Sequence, residues 1–401
     1  MLLNKLFSII GTRKWLNKLA FCFFYFLYTS NCFSQNIVVS EYYNSADTRD
    51  EWTELLVITD NTDLRNYTLR DNNTTQTNWQ NEITFANTTL WTKLRAGTII
   101  VIWHRLRSSF SSTSRLLDTI STDGYLEVHA QLSGYFSGGN FGTAPTWAGS
   151  TLSIGGSGDI IQIKDSSNNH VHAIGHKSTI TNSGNQFDSI VSTNKLNLSS
   201  TISSGDNVSV CPGANLSDYI SGTSDTLYSS KGSNYITQGL PNKRSIDSTT
   251  NQNYWRSLRQ PIYNSPTLNT ITANANFTQT NLSWSVCTDL NPSDSTTGYI
   301  VLRNTINSFT YPSDNIVYTI GSIIGTATVV SNINSSTTLA YTDIFAFTCG
   351  TTYYYKIYAF RFSADNNNLS NAARGRAYNE TGTNVQSIIK SYPVAQTIIP
   401  N

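Results

Sequence analysis

The sequence predicts an all-β protein. Helical periodicity is absent over any long stretch, and short runs of alternating apolar and polar residues recur between turn residues. β-Branched and aromatic side chains fit the pleated, half-buried surface of a strand, whereas asparagine and glycine mark the points where the chain turns. Such runs predict antiparallel strands at residues 37–42, 98–103, 159–163 and 353–358.

The first 34 residues have the features of a secretory signal peptide. Four basic residues precede an uncharged apolar run at 19–28. A polar stretch follows the run, and the chain would be cut after Ser34. A run of this length spans about 15 Å of helix, against roughly 30 Å for the core of a bilayer. We therefore expect a secreted or cell-surface protein without stable membrane insertion after cleavage. Retention of this segment as an uncleaved anchor stays open.

The charge balance excludes one class of partner. The whole chain has 26 basic and 25 acidic residues, and removal of residues 1–34 would leave 22 basic residues and a net charge of −3. Charged residues make up 13% of the chain, and no run of five or more basic residues occurs. Because nucleic-acid binding requires a basic patch, nucleic acid is not a predicted partner.

The segment 36–263 carries a series of short motifs in a characteristic order. They are the run 37–42 with Glu41, the acidic-aromatic stretch 51–55, Leu64, Tyr67, Leu69 and Asp71, the glycine turn and strand at 94–103, and the hairpin at 158–173. Together these motifs resemble a lamin-tail domain. The resemblance implies an immunoglobulin-like β-sandwich that serves as a binding or scaffolding module, here with long loop insertions.

The segment 266–383 resembles a fibronectin type III domain. The motifs are Leu282-Ser283-Trp284, the run 298–303, Tyr341-Thr342-Asp343 and the tyrosine-rich stretch 349–360. The resemblance implies a second β-sandwich, in which alternate residues of the tyrosine-rich strand pack inward over a buried Trp284. A short linker would join the two modules. Residues 384–401 are predicted to form a tail, because they have too little apolar content for a domain.

Cysteine and histidine positions suggest neither a disulfide framework nor a metal site. Three cysteines follow the signal segment, and none has zinc-type spacing. The fibronectin-like topology places Cys287 and Cys349 at opposite ends of the sandwich, about 20 Å apart, so we predict no disulfide between them. His170 and His172, with His176 nearby, could bridge a metal from one strand face. The lamin-tail resemblance instead makes Val171 and Ala173 the core residues and leaves these two histidines in solvent.

An acidic cluster near the start of the first module allows more than one interpretation. It contains Asp47, Asp50, Glu51 and Glu54 beside Trp52. Two carboxylates could act as a glycosidase pair or bind Ca²⁺. However, Glu51 and Glu54 are three residues apart, so they point to opposite faces of a strand. We therefore expect structural carboxylates that accept hydrogen bonds from backbone amides, and we predict no catalytic residue, cofactor or metal.

A glycine-rich loop in the first module is the predicted ligand-binding surface. Aromatic faces stack on sugar rings and amide groups bond their hydroxyls, which are the two contacts that this loop could supply. The alternative is that its aromatic residues fold back into a small hydrophobic cluster. The candidate residues are Tyr135, Phe136, Asn140, Phe141 and Trp147.

These observations predict a secreted or cell-surface, non-catalytic protein that displays loops on β-sandwich modules for adhesion or surface assembly. Its expected partners are surface proteins or a polysaccharide. One alternative is a carbohydrate-binding module that serves a separate polysaccharide-degrading enzyme. A second alternative is an extracellular hydrolase with an unrecognised carboxylate site. A cluster of acidic and histidine side chains in one deep pocket would favour the hydrolase, and an exposed aromatic platform would favour sugar binding.

Overall fold

A computed structural model gives the architecture of the chain. The chain divides into two compact units after Asn36, and all the strands lie in the unit Ile37–Asn401. The residues that the structure describes are 35–47, 50–105, 118–119, 124–131, 134–137, 152–177, 186–211, 213, 215–220, 227–231, 237–242, 252–259, 265–274, 277–287, 297–361 and 376–390.

The protein is mostly β, as the sequence predicts. Two short α-helices occur among the described residues, α1 (Gln186–Ser189) and α2 (Gln252–Arg259). The strands, in chain order, are β1 Ile37–Tyr43, β2 Trp52–Val57, β3 Thr68–Asn72, β4 Trp79–Phe85, β5 Ile99–Trp103, β6 Tyr125–His129, β7 Phe136–Ser137, β8 Asp159–Lys164, β9 His170–His176, β10 Lys195–Leu198, β11 Asp206–Val210, β12 Leu227–Lys231, β13 Leu268–Ala273, β14 Gln279–Trp284, β15 Thr297–Asn304, β16 Ile323–Ile324, β17 Ala327–Ile333, β18 Ala340–Ile344, β19 Thr352–Arg361, β20 Ala377–Tyr378 and β21 Gln386–Ile389.

The first twelve strands form two sheets. Sheet 1 has the order β12-β11-β1-β2-β5-β6, and sheet 2 has the order β10-β9-β8-β3-β4-β7. Most neighbours are antiparallel, but β5 pairs with β6 and β9 pairs with β10 in parallel. Strand β1 packs against β8 and β9, and one hydrophobic cluster contains Val39 and Leu55 of sheet 1 with Ile161 and Ile163 of sheet 2. Burial of each such side chain contributes roughly 1.5–3 kcal/mol.

The remaining strands form two further sheets. Sheet 3 has the order β13-β14-β18, and sheet 4 has the order β16-β17-β15-β19-β20, with β21 also paired to β19. Trp284 of sheet 3 is buried in one cluster with Tyr299, Tyr355 and Ile357 of sheet 4, and the Trp284 and Tyr299 rings meet edge to face at 5.5 Å. The predicted burial of Trp284 against the tyrosine-rich strand is therefore confirmed.

Two expectations about the second half of the chain can be compared with the strand register. Phe345 donates its amide to the Thr278 carbonyl at the start of β14, so Cys349 follows that end of sheet 3 while Cys287 follows the other end. Cys287 and Cys349 therefore follow opposite ends of sheet 3, as predicted, and both are free thiols. The predicted tail boundary at residue 384 is wrong. Strand β21 lies beyond it and pairs with β19 because Ile388 packs against the core.

Helix α2 joins the two pairs of sheets. Its Trp255 is buried in the core of the first pair and donates its indole N–H to the Gly97 carbonyl at 2.9 Å. Gly97 has a φ of +78°, and a Cβ there would lie 2.6 Å from the Arg259 amide nitrogen, so only glycine fits. From the same helix, Arg256 binds Asp314 and the Tyr378 carbonyl of the second pair.

No helix among the described residues has both the length and the apolar character needed to cross a bilayer. The predicted signal peptide, residues 1–34, lies outside the described part of the chain.

Candidate functional site

The predicted ligand-binding loop is only partly within the described residues. Phe136 is buried at 1% exposure and packs edge to face on Phe85 at 5.2 Å, so the prediction of a surface role is wrong for this residue. Tyr135 is half-buried, and its carbonyl accepts the Trp91 indole N–H at 2.7 Å. For these two residues the folded-back alternative describes the structure. Asn140, Phe141 and Trp147 lie outside the described residues.

The prediction that His170 and His172 face solvent is also wrong. Lys164 pairs with His170 while Ile163 pairs with His172, so Val171 is an extra residue in β9. The prediction assigned the two faces of β9 the wrong way round, because Ile174 lies in the core between sheets 1 and 2 while Ala173 lies on the other face. His172 shares the face of Ile174 and is fully buried, whereas the extra residue places His170 opposite Lys164, where it is half-buried.

Two of these histidines connect separate parts of the fold as neutral rings. The Val39 amide of sheet 1 donates to His172 Nδ1 at 3.0 Å, and His172 Nε2 donates to the Tyr219 carbonyl at 2.6 Å. The Tyr42 hydroxyl lies 2.5 Å from His176 Nδ1, whose Nε2 donates to the Gly155 carbonyl at 3.0 Å. Burial lowers the pKa of His172 to about 3 and that of His176 to about 4.

The most distinctive polar arrangement is a set of three buried carboxylates that bind three consecutive backbone amides. Asp71 accepts one amide at 2.7 Å, Glu51 accepts the next at 3.0 Å, and Asp159 accepts the third at 2.7 Å. The carboxylates come from three different elements, the stretch before β2, strand β3 and strand β8. We call the residues that they bind the anchored segment: Ser153, Ile154 and Gly155.

Burial shapes the ionisation of two of these carboxylates. Desolvation raises the pKa of Asp71 to about 7, and hydrogen bonds from Ser153 and Asn81 act in the opposite direction. Desolvation also raises the pKa of Asp159 well above its ordinary value, with a further contribution from the charge of Asp71. Because the donors are backbone and side-chain amides, each carboxylate is held in one orientation and in turn holds the loop.

One further group resembles catalytic machinery in its order of atoms. Thr53 Oγ1 lies 2.8 Å from His104 Nε2, and His104 Nδ1 lies 3.7 Å from Glu51 Oε2. A hydroxyl, an imidazole and a carboxylate in this order can form a nucleophilic triad. Here all three side chains are at most 1% exposed, and the Glu51 oxygen is the one that binds the anchored segment. A substrate therefore cannot reach these three side chains in this structure.

A second set of carboxylates lies on sheet 1. Register places Glu41 opposite Glu54, and places Val101 of β5 between Glu54 and Glu127 of β6. All three glutamates are buried. They form a row across the sheet, and they face the segment 237–242, which we call the strap.

The strap supplies short hydrogen bonds to two glutamates of this row, Glu41 and Glu54, whereas Glu127 takes its short bonds from Trp103 and Tyr125. The Thr237 hydroxyl binds Glu41 at 2.6 Å, the Gly239 amide binds Glu54 at 2.7 Å, and the Asn242 amide group binds the Ser40 carbonyl at 2.9 Å. Burial raises the pKa of Glu41 to about 7, against the effect of its donors. The row fixes the strap on the sheet in the same way that the first set fixes the anchored segment.

The structure therefore confirms the structural interpretation of Glu51 and Glu54, which bind backbone amides and point to opposite sides of β2. Asp47 and Asp50 are half-buried in the loop before β2. Sequence reasoning missed Asp71, Asp159, Glu41 and His104 as members of these networks. In the described part of the chain, no group of three or more His, Cys, Asp or Glu side chains is arranged to hold a metal ion.

Comparison with known proteins adds no family to this description. No family model matches the chain, and no curated protein matches it. The lamin-tail and fibronectin type III resemblances therefore remain predictions from the sequence.

Proposed function

We propose that this chain is a secreted or cell-surface, non-catalytic binding or scaffolding protein. It would present loops on two β-sandwich modules, the first lamin-tail-like and the second fibronectin type III-like. The observation that carries the proposal is the anchored segment. Three buried carboxylates fix three successive backbone amides, and this arrangement holds one loop in a defined position.

The position of the anchored segment supports a role in display. It lies a few residues after the glycine-rich loop predicted to bind ligand, and Phe136, near the start of that loop, is buried in the core. Both flanks of the loop are thus attached to the sheets by buried contacts. Binding residues of sandwich domains commonly lie on loops that a rigid scaffold positions.

The strand sets support two modules. Every pairing of β1 to β12 is with another member of that set, and β13 to β21 pair among themselves. The core of sheets 3 and 4 has a tryptophan on its second strand under a tyrosine-bearing strand, as an immunoglobulin-like sandwich would have.

The burial of the carboxylates favours anchoring over hydrolysis. A general acid or base must come within hydrogen-bond reach of the substrate. Glu51 and Asp159 are each 1% exposed, and their oxygens already bind amides of the anchored segment. These carboxylates supply rigidity, whereas a hydrolase would need them open to solvent.

The proposal is tested with the purified protein and a panel of polysaccharides and candidate surface proteins. Migration through polysaccharide gels and capture of immobilised proteins measure binding, and release of new reducing ends measures hydrolysis. We expect binding to at least one partner and no release of reducing ends. Hydrolysis that disappears in the variant Glu51→Gln would overturn the proposal in favour of the hydrolase.

Export is tested separately. In cells that express the full chain, we expect the protein outside the cytoplasm, with a mature N-terminus at Gln35 by mass spectrometry. An intact N-terminus in the cytoplasmic fraction would contradict the secreted assignment. It would leave the binding assay above unaffected.

A further inference from the structure

The outer face of sheet 2 carries a row of polar side chains that the networks above do not use. Gln162 lies opposite Arg70 on one side, and Lys164 lies opposite His170 on the other. The intervening residues Ile161 and Ile163 belong to the core, so the polar residues share the opposite face. Arg70 and Lys164 are diagonal neighbours across two strands, which corresponds to a backbone separation of about 7–8 Å.

Lys164 is an unusual residue on this face. Only 6% of it is exposed, yet no hydrogen bond or ion pair joins its ammonium to any other described residue. The Nζ atom is not among the completely buried polar atoms, so it keeps contact with solvent. Burial lowers the pKa of Lys164 and the nearby charge of Arg70 lowers it further, whereas the charges of Glu82 and Asp165 act in the opposite direction. The lysine side chain is thus largely buried, while its ammonium keeps a small opening to solvent and forms no direct ion pair within the described part of the chain.

Arg70 is held ready for an anion beside it. Its guanidinium carbon lies 3.7 Å from the centre of the Trp79 ring, and its Nε donates to Gln162 Oε1 at 2.6 Å. The two terminal nitrogens have no hydrogen-bond partner among the described residues. Glu82 lies directly opposite but is exposed and forms no ion pair with it in the described structure. An edge with two free N–H groups is the part of arginine that binds a carboxylate in bidentate fashion.

Gln162 fixes the orientation of Arg70 through hydrogen bonds to Arg70 and His170. Its Nε2 lies 2.7 Å from His170 Nδ1, and His170 Nε2 lies 2.9 Å from the Asn194 carbonyl. Because Nε2 carries the proton that this carbonyl accepts, Nδ1 accepts from Gln162, and His170 is neutral. The chain of bonds therefore orients Arg70, while the charge of the exposed Glu82 acts on it without a direct ion pair.

We propose that Arg70 and Lys164 form a carboxylate-binding site, and that its ligand is the uronic-acid carboxylate of an acidic polysaccharide. This inference rests on the proposed binding function and names its partner. Two cations that form no direct ion pair among the described residues match one carboxylate, with the arginine edge and the ammonium as donors. The half-buried Trp79 packs against the guanidinium of Arg70 and supports it from one side.

The polysaccharide fits this face better than other polyanions. A polyphosphate needs a broad basic patch, whereas this site supplies only two cations, Arg70 and Lys164. An acidic peptide that binds a β-sheet in extended form would add main-chain hydrogen bonds at a sheet edge. The site lies on β3 and β8, which are both interior strands of sheet 2.

The test compares the wild type with Lys164→Met in gels containing polygalacturonate. We expect retardation of the wild type, and a dissociation constant at least about tenfold weaker for the variant. The melting temperature of Lys164→Met should equal or exceed that of the wild type, because an apolar side chain replaces a desolvated charge. A loss of binding is then separable from a loss of folding. Arg70→Lys is the second variant, and it should weaken binding because the bidentate edge is lost.

The matched control is Lys356→Met, which removes the same charge from a half-buried lysine of β19 in the second pair of sheets. It should bind polygalacturonate as the wild type does. Fully methyl-esterified polymer should fail to retard the wild type, and added salt should weaken the binding to the free acid.

Three outcomes would contradict the proposed carboxylate site. Equal binding by the wild type and Lys164→Met would remove the site, and absence of any retardation by polygalacturonate would remove the ligand. Competition by poly-glutamate as strong as that by the free polyuronate would show an acidic peptide site instead. Release of reducing ends in the same samples would instead refute the non-catalytic function, so the two failures are distinguishable.

Discussion

The two pairs of sheets stabilise buried acidic groups in different ways. In sheets 1 and 2, Glu41, Asp71 and Asp159 take their hydrogen bonds from backbone amides, hydroxyls and amide side chains. In sheets 3 and 4, Asp343 pairs with the Arg303 guanidinium at 2.7 Å and accepts the Tyr355 hydroxyl at 2.7 Å. Neutral donors attach loops without adding a charge, whereas the ion pair ties strands to each other.

This difference predicts where the protein responds to pH and where it does not. Carboxylates that are buried among neutral donors are easily protonated, so the pKa values of Glu41 and Asp71 rise to about 7. The loops that depend on them belong to the first pair of sheets. The buried acid of the second pair, Asp343, has an arginine as its partner, so its surroundings supply a positive charge as well as a hydroxyl donor.

The largest expected effect is in the second pair. Replacement Arg303→Met should lower the free energy of unfolding by about 3–5 kcal/mol, because it leaves the buried Asp343 without its cation. It also removes the guanidinium that stacks 3.5 Å from the centre of the Phe345 ring. Urea denaturation measures the loss. A change below about 1 kcal/mol would show that Asp343 does not depend on the ion pair.

In the first pair of sheets, Asp159→Ala should lower the free energy of unfolding by about 3 kcal/mol, because several backbone amides lose their buried acceptor. They are the amides of Gly155, Ile160 and Asn72. The variant Asp159→Asn is the control, since it keeps one acceptor oxygen and should lose less. Equal stability of the wild type and Asp159→Ala would show that the anchored segment does not depend on this carboxylate.

The pH dependence of stability should reveal Glu41. Its pKa is about 7 in the folded protein and 4.5 as the ordinary value, so folding favours the protonated form. Its stabilising contribution is therefore full below pH 4.5, decreases as the pH rises towards 7, and is lost above that. The expected decrease is on the order of 1–3 kcal/mol.

The variant Glu41→Gln isolates this contribution, because glutamine is a neutral analogue of the protonated acid. Its stability should decrease less than that of the wild type between pH 4.5 and 7, measured by urea denaturation at each pH. Parallel curves for the two proteins would exclude Glu41 as the titrating group. The neutral histidines act in the opposite direction, because His172 has a pKa of about 3 and loses its contribution as the pH falls below 6.5.

The smallest effect is expected at an ion pair on the surface. Arg65 binds Asp63 at 2.5 Å, but both side chains are more than 40% exposed. Solvent and salt screen such a pair, so Arg65→Ala should leave the urea midpoint unchanged within error. A clear decrease would mean that exposed charges matter more in this fold than the comparison of buried groups implies.

Local patterns in the sequence predicted the strands well. The run 37–42 became β1, and Trp284 lies where the tryptophan of a sandwich core should lie. These features depend on the alternation of side chains along one strand and on neighbours a few residues away. The same reasoning failed at β9, where both histidines were expected in solvent, because His172 and Ile174 face the core between sheets 1 and 2 and Ala173 faces the other side.

The candidate site was less accessible to sequence reasoning because its contacts are distant along the chain. Glu51 and the Ile154 amide are separated by 103 residues, and Glu54 and the Gly239 amide by 185. Nothing in either segment alone indicates its partner. A buried carboxylate in a β-strand did signal that some donor must meet it, and that expectation proved correct for Glu51 and Glu54.

Amide hydrogen exchange at the anchored segment tests the central claim most directly. If the buried carboxylates serve to fix loops, the Ser153, Ile154 and Gly155 amides should exchange as slowly as the strand amide of Ile161 in the wild type. In Glu51→Gln the protection of Ile154 should decrease most. Exchange of all three amides in the wild type as fast as that of the exposed Ser204 would contradict the account, because the loop would then not be held by the carboxylates at all.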